Sequence, residues 1–156
     1  SFLKTMNKKK FTYLREIELK YKIKKVESNV IGNVATDPET VVNLFSDLQN
    51  ETKEKLIAIN LDSRNKILCF EVVAIGSVGA IHLRPMEVFR TSILVNAHGI
   101  IIIHNHPSGD PKPSQDDIEF TEKLKRISKD LGLFFFDHII VGIDSYYSFA
   151  QDELNQ

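Results

Sequence analysis

The chain predicts the α/β class, a mixed β-sheet sandwiched between helices, on three observations. Short apolar runs of strand length alternate with longer segments whose apolar residues recur at helical spacing. Two of the runs, Leu56 to Leu61 and Ile67 to Ile75, are separated only by the turn-prone Asp62-Ser63-Arg64-Asn65, which predicts a hairpin. A third, Ile100 to Ile103, is four β-branched residues with no polar alternation, as a strand buried on both faces requires. A hairpin beside helix-linked strands gives a sheet of mixed direction.

At 156 residues and 42% hydrophobic content the chain is one domain's worth, able to bury a proper core. Residues 1–34 read as a basic extension and 35–156 as the globular domain, the two forming a single unit. No apolar run is long enough to span a membrane, and the lysine-rich N-terminus lacks the apolar stretch of a secretory signal. The expectation is therefore a cytoplasmic protein with no membrane partner. The single cysteine, Cys69, sits in an apolar strand pattern and reads as a core residue.

The net charge of −1 hides an asymmetry. Nine Lys and Arg against Glu16 and Glu18 give the first 25 residues +7 and leave −8 for the rest. Such a segment suits nucleic acid or an acidic partner, and suits a solubilising tail equally well. The tail is favoured, since no aromatic residues alternate with Lys8, Lys9 and Lys10 as a base-stacking platform requires.

In chain order, Ile17 to Ile23 alternates apolar and charged residues and predicts a half-exposed strand. Asp37-Pro38-Glu39 starts a helix, with an acid at the N-cap and proline at the first helical position, running through Val42, Leu44, Phe45 and Leu48 towards Asn50. The hairpin follows. Gly76 to Leu83 reads as a glycine-containing loop that could act as a lid, and a helix from Pro85 carries Val88, Phe89, Ile93 and Ala97 into the isoleucine strand. From Ser114, a helix presents Ile118, Thr121, Leu124, Ile127 and Leu131 and stops at Gly132. Leu133 to Val141 predicts another strand, Tyr147 to Phe149 a short last one, and Gln151 to Gln156 a frayed tail.

Chemistry concentrates between the isoleucine strand and the Ser114 helix. His104 and His106, two apart on an extended chain, point to one side just beyond a buried strand. Three prolines and a glycine then fix a rigid bend, and Asp117 falls in the first turn of the helix. Two imidazoles and a carboxylate suit zinc with a fourth position left for water. Ser114 and Asp117 also fit a capping box, so helix capping accounts for that pair equally well at this point.

The segment His-x-His, seven residues, then Ser-x-x-Asp is similar to the JAMM (MPN-plus) metalloprotease signature. Its wording, His-Asn-His-Pro-Ser-Gly-Asp-Pro-x-Pro-Ser-Gln-x-Asp, resembles the RadC family. So do Leu61-Asp62, Gly76-Ser77, Arg84-Pro85-Met86-Glu87-Val88-Phe89, Asp137-His138-Ile139-Ile140-Val141-Gly142 and Tyr147-Ser148-Phe149, a resemblance covering about residues 35 to 150. It implies a JAMM/MPN, cytidine-deaminase-like architecture. Carried over residue by residue, it implies that His104, His106 and Asp117 bind zinc, that Ser114 steadies an oxyanion, and that Glu54 is the general base. Glu51 and Glu87 stand as alternatives to Glu54. The implied activity is hydrolysis of a peptide or isopeptide bond, with a peptide or protein conjugate as substrate. Asp137 or His138 would orient a ligating imidazole, or both would serve the strand alone; His82 and His98 lie outside the motif.

Full-length RadC-like proteins usually carry an N-terminal helix-hairpin-helix DNA-binding region, for which the single-domain reading leaves no room. The competing reading is a DNA-associated accessory protein of a repair or mobile-element context, binding nucleic acid through its basic N-terminal segment or cutting it as a metal-dependent nuclease.

Overall fold

The computed structural model describes residues 9–26, 37–76 and 83–155. A five-stranded mixed sheet runs through it, with strand order β2-β1-β3-β4-β5. Strands β1 (Glu54–Leu61) and β2 (Ile67–Gly76) form the expected hairpin, and β1 also pairs antiparallel with β3 (Gly99–Asn105). Strand β3 runs parallel to β4 (Phe134–Val141), and helix α3 (Gln115–Leu131) makes the crossover that parallel pairing demands. The short β5 (Tyr146–Ser148) closes the far edge, antiparallel to β4.

Every residue of β3 is buried, because helices cover both faces of the sheet there. On one face Ile100 and Ile102 join Leu56 and Ala58 beneath Val88 and Phe89 of helix α2 (Pro85–Leu94) and Phe120 and Leu124 of α3. On the other, Ile101 and Ile103 meet Ile57, Ile59, Ile139 and Val141 beneath Val41 of helix α1 (Pro38–Leu44) and Leu48. Each buried isoleucine contributes about 2 kcal/mol of transfer free energy, so β3 is a stiff base for whatever stands at its end.

Three elements differ from their sequence patterns. Residues 9–26 hold no strand, and Ile17 and Ile23 are exposed. Alternation makes a strand only where a neighbour takes the backbone hydrogen bonds, and among the described residues the edge strand β2 pairs with β1 alone. The helix expected to run from Asp37 to Asn50 breaks at Phe45 and continues as a 3₁₀ turn, Ser46–Asn50. Asn43, Ser46 and Asp47 favour turns over helix interiors, and the Phe45 ring leaves the helical path to meet Phe70 edge-on at 5.2 Å. The C-terminal segment forms helix α4 (Phe149–Leu154) instead of fraying. Ser148 Oγ accepts the Gln151 N–H at 3.1 Å, and Asp137 accepts the Ala150 N–H at 3.0 Å.

Cys69 is half-buried in β2 rather than in the core, and burial pushes its thiol up, away from nucleophilic use. His98 stacks on Phe134, away from the strand-end histidines. Of the candidate lid, Gly76 to Leu83, residues 77–82 with His82 among them lie outside the described residues, as does Lys8. Among the described residues no helix is long and apolar enough to cross a membrane.

Candidate metal centre

The buried β3 ends in His104 and Asn105, and the next residue, His106, starts the rigid bend. Helix α3 returns the chain to the same point, because Ser114 at its N-cap starts a capping box. Ser114 Oγ accepts the Asp117 N–H at 3.1 Å, and Asp117 Oδ2 accepts the Ser114 N–H at 2.9 Å. The reciprocal bonds orient Asp117 and leave its carboxylate facing both imidazoles, so capping does not preclude a ligand role.

His104, His106 and Asp117 offer ligand atoms that all lie within 4.8 Å of one another. His104 Nε2 lies 3.4 Å from Asp117 Oδ1, and His106 Nε2 lies 3.1 Å from Asp117 Oδ2. Both separations are short enough for the carboxylate and the two imidazoles to approach one cation. The imidazoles also face inward by the correct atom. His106 Nδ1 donates to the Asp110 carbonyl at 2.9 Å, leaving Nε2 for a cation, and His104 Nδ1 is engaged by His138 Nε2 at 2.7 Å. The donor set therefore fits a metal ion, and two imidazoles with a carboxylate are chemistry that suits zinc among others.

Electrostatics agree. Partial burial opposes ionisation of Asp117, but the imidazoles of His104 and His106 and the Ser114 N–H outweigh it and hold the carboxyl far below the usual range. The Asp117 carboxylate raises His106 in turn, against the smaller effect of burial. His138 is fully buried, and burial first, then the adjacent His104, push it well below the ordinary histidine value, so it is neutral.

Glu54 opens β1. Leu56 stands opposite His104 in the β1–β3 ladder, and continuing that register by two residues places Glu54 across from His106, on the same face of the sheet. Its charge is among those that raise His106. The alternatives are engaged elsewhere: Glu51 pairs with Lys55 at 3.3 Å, and Glu87 accepts the Arg84 N–H at the start of α2.

Three residues at the site escaped the sequence reading or were left open by it. Asn105 lies between the histidines, and its side chain accepts the Lys55 N–H at 2.8 Å and donates to the Lys53 carbonyl at 3.0 Å. It thus clamps the peptide groups on either side of Glu54; a polar residue ending a wholly apolar strand was the available signal. Of the pair left open, His138 is the one that hydrogen-bonds His104, whereas Asp137 accepts from Ser148 Oγ at 2.5 Å and serves helix α4. Thr121, read only as a core-facing helix residue, hydrogen-bonds His138.

A mixed sheet with helices on both faces, two strand-end histidines and a helix-capping aspartate define an α/β domain of the JAB/MPN fold with a group fit to hold a metal. The chain belongs to the RadC family: the family model described as RadC-like JAB domain matches residues 35–154. Proteins named only as UPF0758 are its relatives. That of Aquifex aeolicus is 40% identical over 116 residues, 74% of this chain and 50% of the relative. The Methanosarcina mazei protein is 44% identical over 119 residues, 76% and 52%, and one from Streptococcus thermophilus is 36% identical over 136 residues, 87% and 60%. The chain thus spans about half the length of the first two and three fifths of the third.

Proposed function

We propose that this domain is a zinc-dependent hydrolase acting on a peptide or isopeptide bond. The observation that carries the reading is the convergence of His104, His106 and Asp117, each imidazole tied by Nδ1 so that Nε2 faces the carboxylate. When bound there, zinc would supply a Lewis acid and lower the pKa of a water.

This chain's residues would do the rest. The Glu54 carboxylate takes a proton from the attacking water as the water oxygen bonds to the carbonyl carbon, then returns it to the leaving nitrogen as the C–N bond breaks. Asn105 holds the backbone around Glu54 in place through both of its amide bonds. Ser114 Oγ uses its lone pair in the helix cap, which leaves its hydrogen to donate to the carbonyl oxygen as charge develops.

The first test is zinc content of the purified protein by elemental analysis, native against His104→Ala and Asp117→Ala. About one zinc per chain, lost in both variants, supports the site and justifies screening peptide and isopeptide substrates before nucleic acids. Turnover that disappears in Glu54→Gln while zinc stays bound supports the assigned base. A native protein that takes up no zinc when supplied with it overturns the reading and moves attention to the exposed basic segment, whose binding to DNA would be steeply salt-dependent.

A further inference from the structure

His138 belongs to neither the ligand set nor the substrate face, yet both of its ring nitrogens are used in the interior. Nε2 lies 2.7 Å from His104 Nδ1 and Nδ1 lies 2.6 Å from Thr121 Oγ1, while the ring stacks on Phe149 at 4.9 Å. Thr121 Oγ1 is also 2.7 Å from the Asp117 carbonyl oxygen. Each contact is short, and each needs a proton between its atoms.

The direction of the chain follows from its end. A carbonyl oxygen accepts only, so the single Thr121 hydroxyl hydrogen goes to Asp117. Thr121 Oγ1 must then accept from His138, which places the His138 proton on Nδ1 and leaves Nε2 as an acceptor. His104 must therefore donate from Nδ1, which leaves Nε2 as the ring atom that faces Asp117 Oδ1, 3.4 Å away. The reverse order would put hydrogen on His104 Nε2, where a cation belongs, and leave the Thr121 and Asp117 oxygens in contact with no proton between them.

We propose that Thr121 and His138 are positioning residues that fix the tautomer of His104 and thereby its capacity to bind a metal, an inference that rests on the metal-centre reading. Ligating histidines usually lean on a carboxylate or a backbone carbonyl, acceptors whose role cannot reverse. His106 follows that pattern through the Asp110 carbonyl. An imidazole can act either way, so His138 needs a second group to set its sense, and the hydroxyl on α3 does so. The relay begins at the Asp117 backbone and ends at a histidine facing the Asp117 carboxylate, which couples two ligands through the protein interior.

The test combines tautomer and affinity. Long-range ¹H–¹⁵N correlation spectra of the zinc-free native protein, recorded above the ordinary histidine titration range, are expected to show His104 and His138 both protonated on Nδ1. Zinc affinity by chelator competition is expected to fall about 10–100-fold in His138→Phe and in Thr121→Val. Thr121→Ser, which keeps the hydroxyl, and His138→Gln, whose amide oxygen can occupy the Nε2 acceptor position, are expected to restore most of the loss. A merely structural role would not give that rescue pattern. A native spectrum in which His104 carries its proton on Nε2 and none on Nδ1 overturns the relay without needing any variant. Native-like zinc affinity in well-folded Thr121→Val overturns it too, and leaves the metal centre standing. Failure of the native protein to bind zinc would refute the metal centre and with it the ligand-positioning role.

Discussion

Gly142 is not one of the candidate ligands, yet its replacement by alanine is expected to weaken zinc binding. A Cβ at this position would lie 2.3 Å from the Gly109 carbonyl oxygen, 2.8 Å from Pro111 Cδ and 2.8 Å from Ser145 Oγ. The serine hydroxyl can rotate away, but the carbonyl belongs to the proline-braced bend and must retreat by about 1 Å to reach van der Waals distance. Asp110, the next residue, holds His106 Nδ1 at 2.9 Å, and a retreat of that size stretches the bond beyond hydrogen-bonding range. Losing such an orienting partner costs about 10–100-fold in metal affinity. Overpacking costs about 1–3 kcal/mol, offset in part by the roughly 0.4–1 kcal/mol that alanine gains over glycine through the unfolded chain. For a domain of this size each kcal/mol moves Tm by about 2–4 °C, so the zinc-free protein should melt several degrees lower. Chelator competition measures the affinity, and thermal melts in excess chelator measure the fold. If Gly142→Ala holds zinc within about a factor of two of the native protein, the transmission of strain from Gly142 through the bend to His106 is refuted.

Asn105→Ala should lower turnover more than zinc affinity, because the amide clamps the backbone around Glu54 and touches no ligand; equal losses in both, measured on one preparation, would contradict this. Ser114→Ala removes an N-cap acceptor and should cost about 1 kcal/mol of stability in chelator melts, with a further fall in turnover when zinc is saturating. The zinc-free protein should lose stability as pH rises above 6.5. His106 is raised above 6.5 in the folded state, so its stabilisation is complete below 6.5 and disappears as pH climbs through the raised value. Asp117 is lowered from 3.8, so its share is present above 3.8 and lost only in strong acid. Zinc reverses the alkaline trend, because protons compete for its ligands and the stabilisation it adds grows with pH. Melts with and without zinc across this range check the crossing signs.

The sequence exposed the local part of the site. A two-residue spacing on an extended chain and a helix start are short-range facts, so His104, His106 and Asp117 could be read directly as a group and Ser114 as the helix cap. Partnerships across the sheet could not. Asn105 meets residues 50 positions earlier, and Thr121 finds His138 only after α3 has crossed from β3 to β4. In sequence both sit at places that apolar patterning assigns to the core, and the pattern does not say which polar group a core residue will meet. The N-terminal segment failed for the opposite reason: alternation from Ile17 to Ile23 is necessary for a half-exposed strand but does not supply a neighbour. The last helix was legible after the fact, since Ser148-x-x-Gln151 has the form of a capping box at the start of a segment dismissed for its polarity.

Asp117 caps α3 with its carboxylate, turns the same group to two imidazoles, and lends its carbonyl to Thr121. Fraying of one helical turn would withdraw all three contributions together, while the isoleucine strand beneath stayed intact. If an ion is bound there, its residence time would be governed by a local opening of this kind rather than by global unfolding. Amide exchange over Asp116 to Thr121 and the dissociation rate of zinc become two readings of one motion, and anything that tightens the start of α3 slows both.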